Sequence, residues 1–184
     1  MTRTIKFAFV LGILSTFGFT SNALAASAAE LDVRVAEAIE SFKENVNGAE
    51  VFLSQASGYL VFPKVYKAGI GIGAETGEGA LRIGGQNVDY YRTSSGSFGL
   101  QLGAQARTIV IVFMTEESLN KFRNSEGWKV GIDGSVALID LGAGKTIDSK
   151  NIKDPVVGFI FGSKGLMYNL TLEGTKIHKR DKSK

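Results

Sequence analysis

The sequence lacks cysteine and has little proline or histidine. Its 184 residues include two prolines and one histidine, His178. Without cysteine there are no disulfides, no thiolate metal sites, no cysteine nucleophile and no lipid-modified N-terminal cysteine. A single histidine in a charged tail supports neither a Ser-His-Asp triad nor a multi-histidine metal site. The carboxylate pairs Asp133/Asp140 and Glu75/Glu78 are typical of solvated side chains, which disfavours a glycosidase-like or cation-binding role. A hydrolase with an unrecognised site is the weakest of the functional interpretations.

Long hydrophobic runs are also missing. The longest, Phe7–Phe19, is shorter than the ~20 residues that a membrane-spanning helix needs. It follows Arg3 and Lys6 and precedes Ala23-Leu24-Ala25, a pattern that predicts a secretory signal cleaved after Ala25, with an uncleaved anchor as the alternative. Cleavage removes two cations and lowers the formal net charge from +3 to +1. We expect an exported protein, periplasmic or secreted, that begins at Ala26.

Glycine, by contrast, is abundant, with 23 residues. In the stretch from Gly58 to Leu81, Gly69, Gly71 and Gly73 occupy every second position. In a strand these three share one face, and Ile70 and Ile72 project from the other. Because glycine weakens a strand, we expect another backbone, sheet or ligand to approach the bare face closely, and tight sheet packing is favoured over an inserted group.

The first helix is predicted after Ser27, which has capping-box spacing to Glu30. Apolar residues then recur at helical spacing from Leu31 to Val46. A membrane-binding helix usually carries lysine and arginine on its polar face; here that face is largely acidic, which favours packing on a sheet over membrane insertion. A helical turn at Ala49 to Gln55 and a second short helix at Thr115 to Asn124 complete the helices.

Several strands are predicted between these helices and after them. Short strands at 81–83, 88–92, 98–102 and 108–114 are separated by turns at 84–85, 93–97 and 104–107, and further strands are expected at 129–141, 156–161 and 166–173. The apolar segment Thr108–Met114 is typical of a strand buried on both faces. With so few helices, we predict an α+β fold: a mostly antiparallel, curved or barrel-like glycine-rich sheet with an N-terminal amphipathic helix and one short additional helix.

Phosphate-loop and nucleic-acid functions are not supported. The segment Gly142–Thr146 ends in Gly-Lys-Thr but lacks the first glycine of the motif, since residue 139 is Ile139. Near-neutral charge without a basic stripe argues against nucleic-acid binding. Residues 176–184 nevertheless carry five bases and one acid, so positive charge is concentrated at the C-terminus.

Six segments, in this order, carry a family resemblance: Gly58–Leu81, Gly99–Gln105, Phe113–Thr115, Gly127–Val136, Gly158–Gly162 and Lys164–Gly174. Over roughly residues 30–177 the chain resembles the SYLF domain family, also described as Ysc84-type actin-binding domains, in its secreted bacterial form. The resemblance implies lipid binding at membranes, with phospholipid or phosphoinositide-like ligands, no enzymatic activity and no cofactor. Actin binding by some eukaryotic relatives is not expected of an exported protein.

Together these observations predict a signal peptide (1–25), a SYLF-like domain (26–177) and a basic C-terminal tail (178–184). The predicted function is non-enzymatic lipid binding at an anionic membrane surface; the alternative is a cell-envelope structural or adaptor protein that binds another protein. The candidate lipid-binding residues are basic side chains and the glycine ladder: Lys64, Lys67, Gly69, Gly71, Gly73, Lys176, Lys179 and Arg180.

Overall fold

The computed structural model describes residues 27–140, 153–164, 172 and 174–181. The predicted signal peptide, most of the loop 142–155 and most of the strand 166–173 lie outside these residues. The described helices are α1 (Ala28–Asn45), α2 (Ala49–Gln55) and α3 (Glu116–Arg123). The described strands are β1 (Gly58–Ile83), β2 (Gln86–Phe113), β3 (Trp128–Lys129), β4 (Ala137–Asp140), β5 (Val156–Lys164) and β6 (Lys176–Arg180). None of these helices is both long and apolar enough to cross a membrane.

Helix α1 begins as predicted, because the Glu30 amide donates a hydrogen bond of 3.2 Å to the Ser27 hydroxyl. Leu31, Val35 and Phe42 on its apolar face are each at most 2% exposed and pack on the sheet. Helix α1 ends at Asn45, and Gly48 precedes α2 as its N-cap in the left-handed conformation, with φ of 86°. Packing of α1 on the sheet decides between the two alternatives for this helix.

Strands β1 and β2 form one long antiparallel hairpin. They join at Gly84 and Gly85, both with positive φ, which permits a tight turn between strands. A straight 26-residue strand would extend about 85 Å. The hairpin instead bends, with irregular register between Phe62 and Val65, between Ile70 and Ile72, and between Leu81 and Arg82. The result is a curved sheet in an α+β fold, as predicted.

The predicted turns at 93–97 and 104–107 are wrong, because both segments lie within β2. Residues Thr93–Ser97 pair with β1 throughout, and Thr93 and Ser94 pair also with β6. Turn-like composition is overridden here because pairing with β1, and at Thr93 and Ser94 also with β6, satisfies the backbone. The predicted strand 129–141 is likewise interrupted, since a turn at residues 131–133 separates β3 from β4.

The described strands form a single sheet in the order β3-β6-β2-β5-β4, with β1 also paired to β2. All these pairings are antiparallel except β4 with β5. The segment Ile109–Phe113 of β2 lies between β1 and β5, and each of its residues is at most 1% exposed. This confirms the prediction of a central strand buried on both faces.

Two apolar cores cover the two faces of this central segment. One core packs α1 and α2 against Val110, Val112 and Phe159. The other contains Ile109, Ile111 and Phe113. It includes residues from both halves of the hairpin: Phe62 from the half near the open end, and Tyr91 from the half near the turn at Gly84 and Gly85. Trp128 belongs to this second core, 2% exposed and edge-on to Phe122, so it is a core residue and not an exposed stacking platform.

Candidate functional site

The curled hairpin has an inner and an outer face, and successive residues of β1 project alternately to one and the other. From residue 65 to residue 79 the odd-numbered positions turn inward: Val65, Lys67, Glu75 and Gly79 are all buried. The even-numbered positions from 64 to 76 are exposed. The face that each side chain occupies therefore decides whether it can meet a ligand from solvent.

The inner face contains a buried ion pair that joins the two halves of the hairpin. Nη2 of Arg107 donates to both carboxylate oxygens of Glu75, each at 2.7 Å, and both side chains are at most 2% exposed. Arg107 pairs with Val65 in the half near the open end of the hairpin, and Glu75 pairs with Ser95 in the half near the turn. Their contact holds the two halves together across the interior.

Lys67, one of the predicted lipid-binding residues, lies on this same inner face. It is 4% exposed and in register with Gln105, which is itself buried. Its side chain is therefore part of the hairpin interior and is not exposed on the surface, in contrast to Lys64.

The glycines allow the chain to fold on its own backbone. A Cβ atom on Gly69 would lie 2.4 Å from the Gly73 Cα, so the chain bends sharply between them. Gly77 and Gly79 were not predicted as part of the ladder, yet a Cβ on Gly79 would come within 2.2 Å of the Val61 carbonyl oxygen. The surroundings of Gly71 lie outside what the structure describes. Close approach, expected from the sequence, is made here by the other half of the same hairpin.

The outer face carries three exposed apolar side chains, which we call the crest: Tyr66, Ile70 and Ile72. Ile70 is 80% exposed, Ile72 67% and Tyr66 54%. The Lys64 amino group lies 5.2 Å from the centre of the Tyr66 ring, within range of a cation-π contact. The sequence placed the isoleucines opposite the glycines but did not predict that they face solvent.

A cationic row continues the outer face beyond the crest. Lys176, His178 and Arg180 alternate with the buried Ile177 on β6 and therefore share one face. Arg92 lies opposite His178 and makes an ion pair of 3.0 Å with Glu78. Burial lowers the pKa of His178, and the positive charges of Lys176, Arg92 and Arg180 lower it further.

Register joins this cationic row to the crest. Thr76, Ser94 and Lys176 lie side by side on β1, β2 and β6, and residues directly opposite each other in antiparallel pairs share a face. Thr76 is four residues from Ile72, or about 13 Å along the strand. Lys179 lies on the other face, where its amino group contacts Asp89 at 2.6 Å. Of the predicted C-terminal cations, Lys176 and Arg180 thus share the outer face and Lys179 does not.

A pocket of about 400 Å³ adjoins the crest where α1 meets β1. Arg34 and Glu37 of α1 and Lys64 and Tyr66 of β1 contribute to its lining. Arg34 also forms an ion pair with Glu30 on α1. The pocket therefore contains charges of both signs, with Tyr66 common to the pocket and the crest.

Helix α1 is held beside the hairpin by a polar clamp. Asp32 accepts hydrogen bonds from the Asn87 side-chain amide at 2.7 Å and from the Tyr90 hydroxyl at 2.8 Å. Burial and the hydrogen bond to Asp32 raise the pKa of Tyr90 to about 12. The clamp fixes α1 on the sheet with its apolar face turned inward.

Comparison with known protein families gives one match. Residues 94–184 match the family model described as Ysc84, Las17-binding protein actin regulator. The chain belongs to the SYLF domain family. No curated protein matches it. The SYLF match covers β2 from residue 94 onward and continues through β6, so it includes the cationic side chains of β6 but not Arg92.

SYLF domains form a family of lipid-binding and actin-regulating proteins that is not known for enzymatic activity. Within the described ranges, no cluster of three or more histidine, aspartate or glutamate residues has the arrangement of a metal site. The features that the described SYLF surface does present are an exposed apolar crest and a row of cations.

Proposed function

We propose that this protein is an exported, non-enzymatic lipid-binding protein that contacts the anionic head groups of phospholipids or phosphoinositide-like lipids at a membrane surface. The observation that carries the proposal is the cationic row on the outer face of the sheet. Lys176, His178 and Arg180 lie on one strand, with Arg92 beside them. The pKa of His178 is lowered first by burial and then by the positive charges of Lys176, Arg92 and Arg180.

Such a row is well suited to an anionic surface. Each lysine or arginine near anionic lipid contributes about 1 kcal/mol of attraction, and salt screens this attraction over about 10 Å. Because the residues belong to a strand, their spacing is held by the sheet and their attraction to the membrane acts in one direction.

Vesicle co-sedimentation tests this function. Wild-type protein is expected to bind vesicles of phosphatidylglycerol and phosphatidylcholine at low salt and more weakly at high salt. The Lys176→Glu/Arg180→Glu variant should bind at least about tenfold more weakly. Lys43→Glu/Lys121→Glu, which makes the same change of charge on α1 and α3, is the matched control.

Equal binding by the two double variants would remove the cationic row from the mechanism. Absence of binding by the wild type under all these conditions would contradict the lipid-binding function itself.

Export is part of the proposal and has its own test. The segment before Ala26 combines two cations, an apolar run and small residues at the cleavage site. We expect the mature chain to begin at Ala26. Intact-mass analysis of protein recovered from the cell envelope or medium checks this, and a mature chain that retains Met1 would contradict it.

A second candidate function, an envelope adaptor, is favoured by one observation. Among the described strands β1 pairs only with β2, so its other edge has no strand partner in that part of the chain. A free edge can accept a strand from another protein. Mass spectrometry of the purified protein separates the two functions: a co-purifying lipid supports lipid binding, and a co-purifying envelope protein without lipid supports the adaptor.

A further inference from the structure

The crest is the feature of the outer face that electrostatic attraction leaves unexplained. Ile70 and Ile72 each expose more than half of their surface, two residues apart on one strand. Single exposed apolar residues are common on proteins, but adjacent ones that project together mark contact surfaces. Other large exposed apolar residues, such as Val33, Val88 and Ile132, belong to separate elements.

Backbone geometry makes this part of the hairpin project outward. Ile70 is in register with Leu102, and Ile72 with Phe98, so one residue of β1 lies opposite three residues of β2. The same place is where Gly69 and Gly73 come close together on the inner side. A strand that bends inward at these glycines carries the intervening isoleucines on its convex side.

Charge around the crest fits an anionic bilayer. The carboxylates that follow it on β1, Glu75 and Glu78, are both engaged by arginines, at 2.7 Å and 3.0 Å. Cations lie towards its two ends: Lys64 precedes Tyr66, and Lys176 of β6 lies in register with Thr76 across Ser94 of β2. The crest is thus an apolar segment between exposed cations, with the nearest acids of its own strand neutralised.

The N-terminal helix does not compete for this role. Its apolar face is buried against the sheet, and Asp32 holds the helix to Asn87 and Tyr90. Insertion of α1 into a membrane would require the loss of these contacts, whereas the crest is already exposed.

We propose that the crest inserts into the boundary between head groups and acyl chains of an anionic bilayer. Ile70 and Ile72 enter the apolar region, Tyr66 lies at the head-group level, and Lys64 and the cationic row contact phosphates on either side. This inference rests on the proposed lipid-binding function and identifies the part of the molecule that enters the membrane.

The first test removes the apolar contact. Ile70→Ser/Ile72→Ser should bind phosphatidylglycerol/phosphatidylcholine vesicles about tenfold or more weakly than the wild type, because the apolar area buried in the bilayer is lost. The loss should persist in about 1 M salt, where charges are screened beyond ~3 Å. Val33→Ser/Val88→Ser, which changes two exposed valines elsewhere, is the control, and thermal unfolding checks that every variant folds.

The second test measures how deeply the crest inserts into the bilayer. Ile72→Trp places an indole on the crest, while the native Trp128 is 2% exposed and supplies a constant background. Lipids brominated on their acyl chains should quench the new indole when vesicles are added. Val88→Trp, at a site 43% exposed on the other arm of the hairpin, should show no such quenching.

The outcomes separate this inference from the function on which it rests. If the wild type does not bind vesicles, both fall. If the wild type binds but the serine variant binds equally well and the indole is not quenched, the crest inference alone is overturned. Wild-type dimers that the serine substitutions convert to monomers would also overturn it, because a second copy would then cover the crest.

Discussion

Glu75 contributes to the curl of the hairpin, because its carboxylate accepts hydrogen bonds from Arg107 of the opposite half. Breaking a buried ion pair by removing one partner typically costs 3–5 kcal/mol. We predict that Glu75→Gln lowers the free energy of unfolding by about this amount in urea titrations. Glu40→Gln, which removes an exposed ion pair with Lys43, is the control and should cost less than about 1 kcal/mol. A loss at Glu75 as small as the control's would show that the pair does not hold the halves together.

Gly79 tests the close approach of the two halves. A methyl group there would lie 2.2 Å from the Val61 carbonyl oxygen, so the backbones must separate. We predict that Gly79→Ala destabilises the protein by about 1–3 kcal/mol. Gly96→Ala is the matched control, since a Cβ at Gly96 meets no atom within 4 Å. Equal melting temperatures for the two variants would contradict the tight packing.

At the scale of single residues, the sequence predicts which side chains share a face of the strand but not which face is buried. A period of two places Ile70 and Ile72 on the face opposite Gly69 and Gly73, and the structure agrees. The period alone does not tell which face becomes the interior, because that depends on the curl. The inner face accepts Glu75 because Arg107, 32 residues away in the chain, pairs with its carboxylate. Hydrophobicity alone would have turned the isoleucines inward.

Strand β6 is the element whose role differs most from its sequence interpretation. The predicted domain ends at residue 177 and a tail follows, whereas β6 continues to Arg180 between β3 and β2. The charged composition of this segment conceals a strand because its outward side chains are cationic and only Ile177 is apolar and buried. Lys176, His178 and Arg180 lie on one face of this strand, and Lys179 lies on the other, where it contacts Asp89.

Ile177 provides the test of this role. It is 2% exposed in the second core, so Ile177→Ala should lower the free energy of unfolding by about 2–5 kcal/mol. Ile132→Ala, at a site 73% exposed, should change it by less than about 0.5 kcal/mol. Chemical denaturation of both variants measures the difference. If Ile177→Ala were as mild as Ile132→Ala, the segment would behave as a tail without a part in the core.

Elements with strong local signals were predicted well. Helix α1 shows its capping residue and its apolar spacing in the sequence, and α3 has Thr115 as its cap, which accepts from the Ser118 amide. The long strands were divided into short ones because serine, glycine and threonine at 93–97 resemble a turn. The pairing of this segment with β1, and of Thr93 and Ser94 with β6 as well, is a tertiary effect that local composition does not contain.

In the whole molecule, the two faces of the sheet pack against different elements. One face receives α1 and α2 and closes the first core, while the curl of the hairpin closes the second core against α3, β3 and β6. This leaves the convex outer side of the hairpin uncovered by the described helices near the crest. Apolar and cationic side chains therefore share a continuous surface without taking part in either core.

The same surface predicts a pH dependence of membrane binding. The pKa of His178 is lowered from its ordinary 6.5, so folding favours the neutral imidazole, and its contribution to stability is present above this pH and lost as the pH falls below it.

Binding to an anionic membrane should depend on pH in the opposite direction from folding stability. A protonated His178 adds a positive charge beside Lys176, Arg180 and the Arg92–Glu78 pair, and this charge attracts anionic lipid. Because the pKa of His178 is lowered, we predict that affinity for anionic vesicles rises only as the pH falls below 6.5, and by at most about fivefold, from roughly 1 kcal/mol for one added cation. His178→Gln should abolish most of the rise, since His178 is the only histidine in the chain. Co-sedimentation of both proteins above and below this pH is the measurement, with pure phosphatidylcholine vesicles as the uncharged control. A rise that persists in His178→Gln would place the titrating group elsewhere, whereas a flat profile in both would mean that His178 does not face the lipid.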